Sequence, residues 1–216
     1  MTILLINSMQ KKIPIQILKH YENIKPQIVK RLEEFSLVPE SEYFYELAFC
    51  LCTPQSMAKN AIQVIEKLKA QDFLNNPFDP SDILGDKEHY IRFHITKANR
   101  LILALDSFHF VREVLKSDLN NFEKRNEISE IVEGFGLKES SHFLRNIGYR
   151  NLAILDRHIL KHLTECGLYK EIPNVANRNI YFEVEKDFWL FSEKVGITID
   201  ELDLLFWSYE TGEIIK

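Results

Sequence analysis

Residues 134–145 read GFGLKESSHFLR. Two of the chain's seven glycines stand here on either side of Phe135, and Lys138 follows just after them. Glycine adopts positive φ without steric cost and lets other groups approach the backbone closely. Gly134 and Gly136 are therefore expected to form a tight hairpin between two helices, the second beginning near Leu137. Such a turn aims backbone N–H groups outward at a helix N-terminus, and the helix dipole adds positive potential there. That arrangement suits a phosphate. A plain helix–helix turn is the simpler alternative for a lone Gly-x-Gly.

Outward from the hairpin the pattern stays helical. Ile15 to Phe35 reads as a helix interrupted near Pro26, and LAFCLC (47–52) as a buried segment. TPQS (53–56) breaks that segment, with Ser56 placed to cap AKNAIQVIEKLKAQ. NNPFDPSD (75–82) is a turn cluster. Thr96 to Lys116 carries Leu101, Ile102, Leu105, Phe108 and Val111 at helical spacing, and Arg125 to Val132 forms a short helix. Leu152, Leu155, Ile159 and Leu163 mark a buried face in NLAILDRHILKHL (151–163), where Asp156 is expected to cap a helix starting at Arg157. Thr198 and Glu201 read as a capping box opening ELDLLFWSYE. Strand signals are weak, so the fold class expected is all-α.

Composition sets further bounds. The chain has 216 residues, 45% hydrophobic and 27% charged, as in a globular protein. No apolar run approaches the ~18 residues that span a bilayer, and the opening MTILLINSMQKK does not read as a signal peptide. No membrane partner is expected, and the localisation expected is cytoplasmic, with nucleoid association. Cys50, Cys52 and Cys166 supply neither a disulfide framework nor a four-cysteine cluster site. His158, His162 and Cys166 recur every four residues, but packing or solvent exposure explains them better than a metal, and no metal or cofactor is expected. The net charge is −5, unevenly spread. From 171 to 216 ten acids face four bases, whereas from Gly134 to Lys161 five bases face two acids. A local basic surface matters more to a polyanion than the total does.

The segment VEGFGLKESSHFL resembles the hairpin of the helix-hairpin-helix DNA glycosylases, and ILDRHIL resembles their segment carrying the catalytic aspartate. More narrowly, GLKESSHFLRNIGYRNLAILDRHIL resembles the type-2, archaeal-type 8-oxoguanine DNA glycosylase/lyases. The match covers about 25 residues and both catalytic positions at the right separation. The resemblance implies a two-lobed, all-α helix-hairpin-helix fold with a DNA-binding cleft between the lobes. It places 40–149 in a central lobe with the hairpin, and 1–39 plus 150–216 in a terminal lobe, all within one unit spanning 1–216.

The activity implied is a monomeric, bifunctional base-excision repair enzyme acting on double-stranded DNA that contains 8-oxoguanine. Lys138 would be the nucleophile, forming a Schiff base with the sugar, and Asp156 would stabilise the cationic sugar as the base leaves. An amine attacks only when neutral, so that role needs burial or a neighbouring cation to favour the neutral form. In the base pocket His142 lies one turn after Lys138. Asp203 and Trp207 form an i,i+4 pair, and the family resemblance assigns a pocket role to Lys216. Gly134 and Gly136 would meet phosphate. Gln55 would fill the gap left by the flipped base, and Arg145, Arg150 and Lys97 would contact phosphate, with Arg92 and Phe93 opposite the lesion. The rival readings are a related glycosylase for another damaged base and a non-catalytic helix-hairpin-helix DNA-binding protein.

Overall fold

The computed structural model describes residues 11–215. Among them every regular element is a helix. Helix α1 spans Ile15–Ser36, and a short 3-10 turn at Glu40–Glu42 leads into α2 (Tyr43–Cys52) and α3 (Ala58–Ala70). Then come α4 (Ser81–Gly85), α5 (His94–Lys116), α6 (Asn121–Ile131) and α7 (Leu137–Asn146). The chain continues with α8 (Arg157–Glu165), α9 (Arg178–Val195) and α10 (Ile199–Thr211).

The chain divides into two compact units, one holding 11–29 and 155–214, the other 30–154. In the second unit α2 is the centre. Phe44, Leu47, Phe49 and Leu51 are all buried on it, and α5 and α7 pack against it. Burying side chains of this size contributes about 1.5–3 kcal/mol each. The cysteines are core residues, and burial pushes the Cys52 thiol up to about 12. In the first unit α8, α9 and α10 pack together around Ile159, Leu163, Phe188, Leu202 and Phe206.

Three local expectations change. Helix α1 runs through Pro26 without a break. The proline forfeits one backbone hydrogen bond, but buried Ile17, Tyr21, Ile28, Leu32 and Phe35 hold the helix on both sides of it. Helix α6 starts at Asn121, ahead of Arg125, because Asn120 and Glu123 form a complete capping box. Ser56 does not cap α3. Met57 occupies that position, with no side-chain bond, and the Ser56 hydroxyl is used elsewhere. Helix α9, opened by the Asn177 side chain, was not marked by any expectation.

Candidate active site

Helices α6 and α7 are joined by 132–136, the turn in which Phe135 N–H donates to the Val132 carbonyl at 3.0 Å. Gly134 has φ +92, a conformation that favours glycine. A side chain there would also collide with Arg100 of α5, whose Cδ lies 2.5 Å from the ideal Cβ position. Gly136 works differently. Its backbone is extended, and it caps α7 with Glu139 as the third residue of the helix. The Glu139 carboxylate accepts from Gly136 N–H at 3.2 Å and pairs with Lys138 Nζ at 3.0 Å. One carboxylate thus covers both a hairpin amide and the adjacent ammonium. Lys138 lies in the first turn of α7 and keeps about a quarter of its side chain exposed. His142 lies one turn on, with its ring edge-on to Phe49 at 5.8 Å.

Asp156 caps α8 as its position in the sequence predicts. Its Oδ1 accepts from His158 N–H at 2.8 Å and Ile159 N–H at 2.9 Å. The carboxylate thus sits at the positive end of the helix dipole. In this same unit α8 packs on α10. The His158 ring meets Trp207 edge-on, centroids 6.4 Å apart. Trp207 is half-buried, and Asp203, one turn before it, is buried. Glu210 ties the two helices together. It accepts from Lys161 Nζ at 2.7 Å and faces His162 Nε2 at 3.0 Å, while Glu165 takes His162 Nδ1 at 2.7 Å. The Lys161 bond holds the Glu210 carboxyl below its usual range. The histidines at four-residue spacing therefore serve the seam between α8 and α10. Lys216 lies outside the described residues.

Three basic residues expected to reach phosphate bond to the protein itself, and two of them, Arg145 and Lys97, are buried. Arg145 is buried, with Nε donating to Asn146 and its guanidinium 4.8 Å from the Phe35 ring centroid. Asn146 in turn donates to buried Glu46 at 3.1 Å. Arg150 donates to the Leu32 carbonyl and the Ser36 hydroxyl, anchoring the end of α1. Lys97 is buried, and its ammonium donates to the carbonyls of Cys52 and Pro54, both at 2.7 Å, and to Ser56 Oγ at 3.2 Å. Burial pulls it down to about 8, with Arg100 and Lys138 adding positive charge nearby. The buried stripe of α5 explains this: the period through Leu101, Ala104 and Phe108 runs back to Lys97. Gln55, by contrast, is exposed, with φ +58.

Sequence reasoning missed Arg100 and Glu139. Arg100 carries no local signal, since its contact with Gly134 arises only on folding. Glu139 had one, a glutamate three residues after a helix cap.

A profile of the 8-oxoguanine DNA glycosylase family matches residues 28–197. This chain belongs to the 8-oxoguanine DNA glycosylase family. A Fusobacterium nucleatum relative named 8-oxoguanine DNA glycosylase/AP lyase is 36% identical over 211 residues, covering 93% of this chain and 96% of its own. A Methanocaldococcus jannaschii relative of the same name is 36% identical over 206 residues, covering 94% of this chain and 97% of its own. The crystal structure of the M. jannaschii glycosylase/lyase in complex with a 15mer DNA containing 8-oxoguanine superposes with a TM-score of 0.83 at 33% identity. That match covers 94% of this chain and 99% of the other. The Thermotoga maritima 8-oxoguanine DNA glycosylase gives 0.82 at 28% identity, covering 93% and 97%. Helix α6, the glycine turn and α7 form a helix-hairpin-helix in this chain. Among the described residues no helix is long and apolar enough to cross a membrane.

Proposed function

We infer that this chain is a bifunctional DNA repair enzyme that excises 8-oxoguanine and then cleaves the abasic site. One observation carries the reading. A chain matched to the family over 28–197 keeps a lysine in the first turn after the hairpin and an aspartate capping the next helix. Those are the two groups the chemistry needs, a nucleophile and a fixed negative charge.

In this reading the neutral amine of Lys138 attacks C1′ of the damaged nucleotide. The glycosidic bond breaks, its electron pair leaves with the base, and the base takes up a proton. The nitrogen gives up one proton, the C1′–O4′ bond breaks with O4′ taking a proton, and the nitrogen lone pair forms the C=N bond of a protonated Schiff base. Loss of a proton from C2′ then allows the C3′–O bond to break, expelling the 3′ phosphate. Asp156 stabilises the positive charge that develops on the sugar. Its two amide bonds keep the carboxylate in place during that change, so little reorganisation is needed. Glu139 pairs with Lys138 Nζ at 3.0 Å, and in this reading that pairing is released before the amine reacts.

The substrate must leave the stack before the amine can reach it. His142, Asp203, Trp207 and Lys216 are proposed for the base pocket. The 8-oxo base differs from guanine by an N7–H donor and an O8 acceptor, so an acceptor such as the Asp203 carboxylate would discriminate between them. Gly134, Gly136 and Gln55 are proposed for the DNA backbone and the vacated stack. The protein would act as a monomer in the cytoplasm, on nucleoid DNA. The test is borohydride trapping on duplexes bearing 8-oxoguanine, guanine or another oxidised base. A covalent adduct and a nicked strand with the 8-oxoguanine duplex alone are expected. Preference for a different lesion would move the chain to another substrate, and no adduct with any lesion would leave it a binding protein.

A further inference from the structure

Four non-glycine residues have positive φ among the described residues, and two of them stand in a pair of tied turns. Gln55 has φ +58 and Phe93 has φ +60. Left-handed backbone is costly for an ordinary side chain, most of all for an aromatic one, and persists where the surroundings fix it. Both side chains are exposed, Phe93 with half its surface open, and Arg92 stacks its guanidinium 4.8 Å from the Phe93 ring centroid.

What fixes these turns lies beneath them. The Lys97 ammonium has three N–H donors and meets three acceptors, the carbonyls of Cys52 and Pro54 and the Ser56 hydroxyl. The first two secure the end of α2 and the turn carrying Gln55. Ser56 Oγ accepts from Arg92 N–H at 3.0 Å as well, joining the second turn to the first. Lys97's own N–H donates to the Phe93 carbonyl at 3.0 Å. One lysine and one serine therefore brace both exposed turns from the buried side.

We propose that Lys97, acting through Ser56, is a positioning residue that presents Gln55 and Phe93 as one preformed wedge to the duplex. The proposal rests on the reading that this chain acts on DNA, and extends it from the reacting groups to the machinery that opens the stack. Preorganisation matters because a wedge ordered only on binding would lose binding energy to ordering. Lys97 itself touches no DNA in this account.

The test uses a duplex with a tetrahydrofuran abasic analogue and 2-aminopurine opposite it, whose fluorescence rises on unstacking. Ser56→Ala keeps the charge of Lys97 and cuts the link between the turns. Lys97→Met keeps the stem and removes all three bonds. At saturating protein the fluorescence rise should fall at least twofold in Ser56→Ala and further in Lys97→Met, with Gln55→Ala as the reference loss. The slope of affinity against salt should not change, since no phosphate contact is removed. A folded Ser56→Ala with the wild-type signal at saturation overturns the proposal, whether or not Lys97→Met folds. So does a salt slope reduced by about one in Lys97→Met, which would make Lys97 a phosphate contact. Wild-type protein that gives the fluorescence effect but excises no 8-oxoguanine sinks the substrate reading alone.

Discussion

Helix α7 opens on Gly136, which has no side chain to offer, whereas α8 opens on Asp156, whose carboxylate takes two amides itself. Both are helix N-termini, and both favour a negative charge. At α8 that charge is built in and fixed at 2.8 and 2.9 Å. At α7 it comes from Glu139, a side chain from within the helix that also holds Lys138. In the mechanism proposed above, the difference matches two chemical needs. A group that stabilises a cation gains from being locked in place, but a nucleophile must be released from its partner to react. In that proposal the carboxylate closing the end with the cation turns away before the amine reacts.

The largest effect should come from removing the amine. Lys138→Ala is expected to abolish the borohydride-trapped adduct on 8-oxoguanine duplex while lesion binding survives, because only the amine makes the covalent bond. Persistent trapping would assign the nucleophile to another lysine. Next in size is the fixed charge. Asp156→Asn keeps an N-cap acceptor, so thermal melting should change little, while single-turnover excision falls by about 10²–10³-fold. Wild-type excision by that variant would remove Asp156 from the mechanism. Asp156→Ala separates the two roles. Its excision should match that of Asp156→Asn, but its stability in urea should drop by about 1 kcal/mol, the usual cost of a lost cap.

The two helix starts were legible in the sequence to different depths. Asp156 before Arg157, and Thr198 with Glu201, are local signals, and local signals survive folding when nothing competes for the capping group. Ser56 shows the opposite case. Its spacing suited a cap for α3, but Lys97 and the Arg92 amide claim its hydroxyl from far along the chain. Arg145 and Lys97 read as surface bases because a single sequence gives charge without orientation. Only the α5 period hinted that Lys97 points inward. The glycines were legible as a turn, but not as two different solutions, since the crowding of Gly134 by Arg100 depends on how α5 packs.

That last difference gives the finest test of the comparison. Gly134 needs glycine twice over, for φ +92 and for the space taken by Arg100. Gly134→Ala should therefore cost about 1–3 kcal/mol from the strained backbone alone, with displacement of the Arg100 stem added to it. Gly136 has extended backbone, and a Cβ there would meet only the Glu139 carboxylate, at 3.4 Å. Gly136→Ala should cost less than about 1 kcal/mol, since alanine is merely a poorer cap than glycine. Urea melts read these costs, and affinity for undamaged duplex across a salt series reads the second half of the comparison. If the Gly136 amide meets a phosphate once Glu139 turns away, Gly136→Val should weaken binding to lesion and undamaged duplex alike, because phosphate contacts carry no base information. A folded Gly136→Val protein that binds undamaged DNA normally and loses only its 8-oxoguanine preference would place this glycine in the base pocket. The N-terminal end of α7 would then serve recognition of the base rather than the backbone.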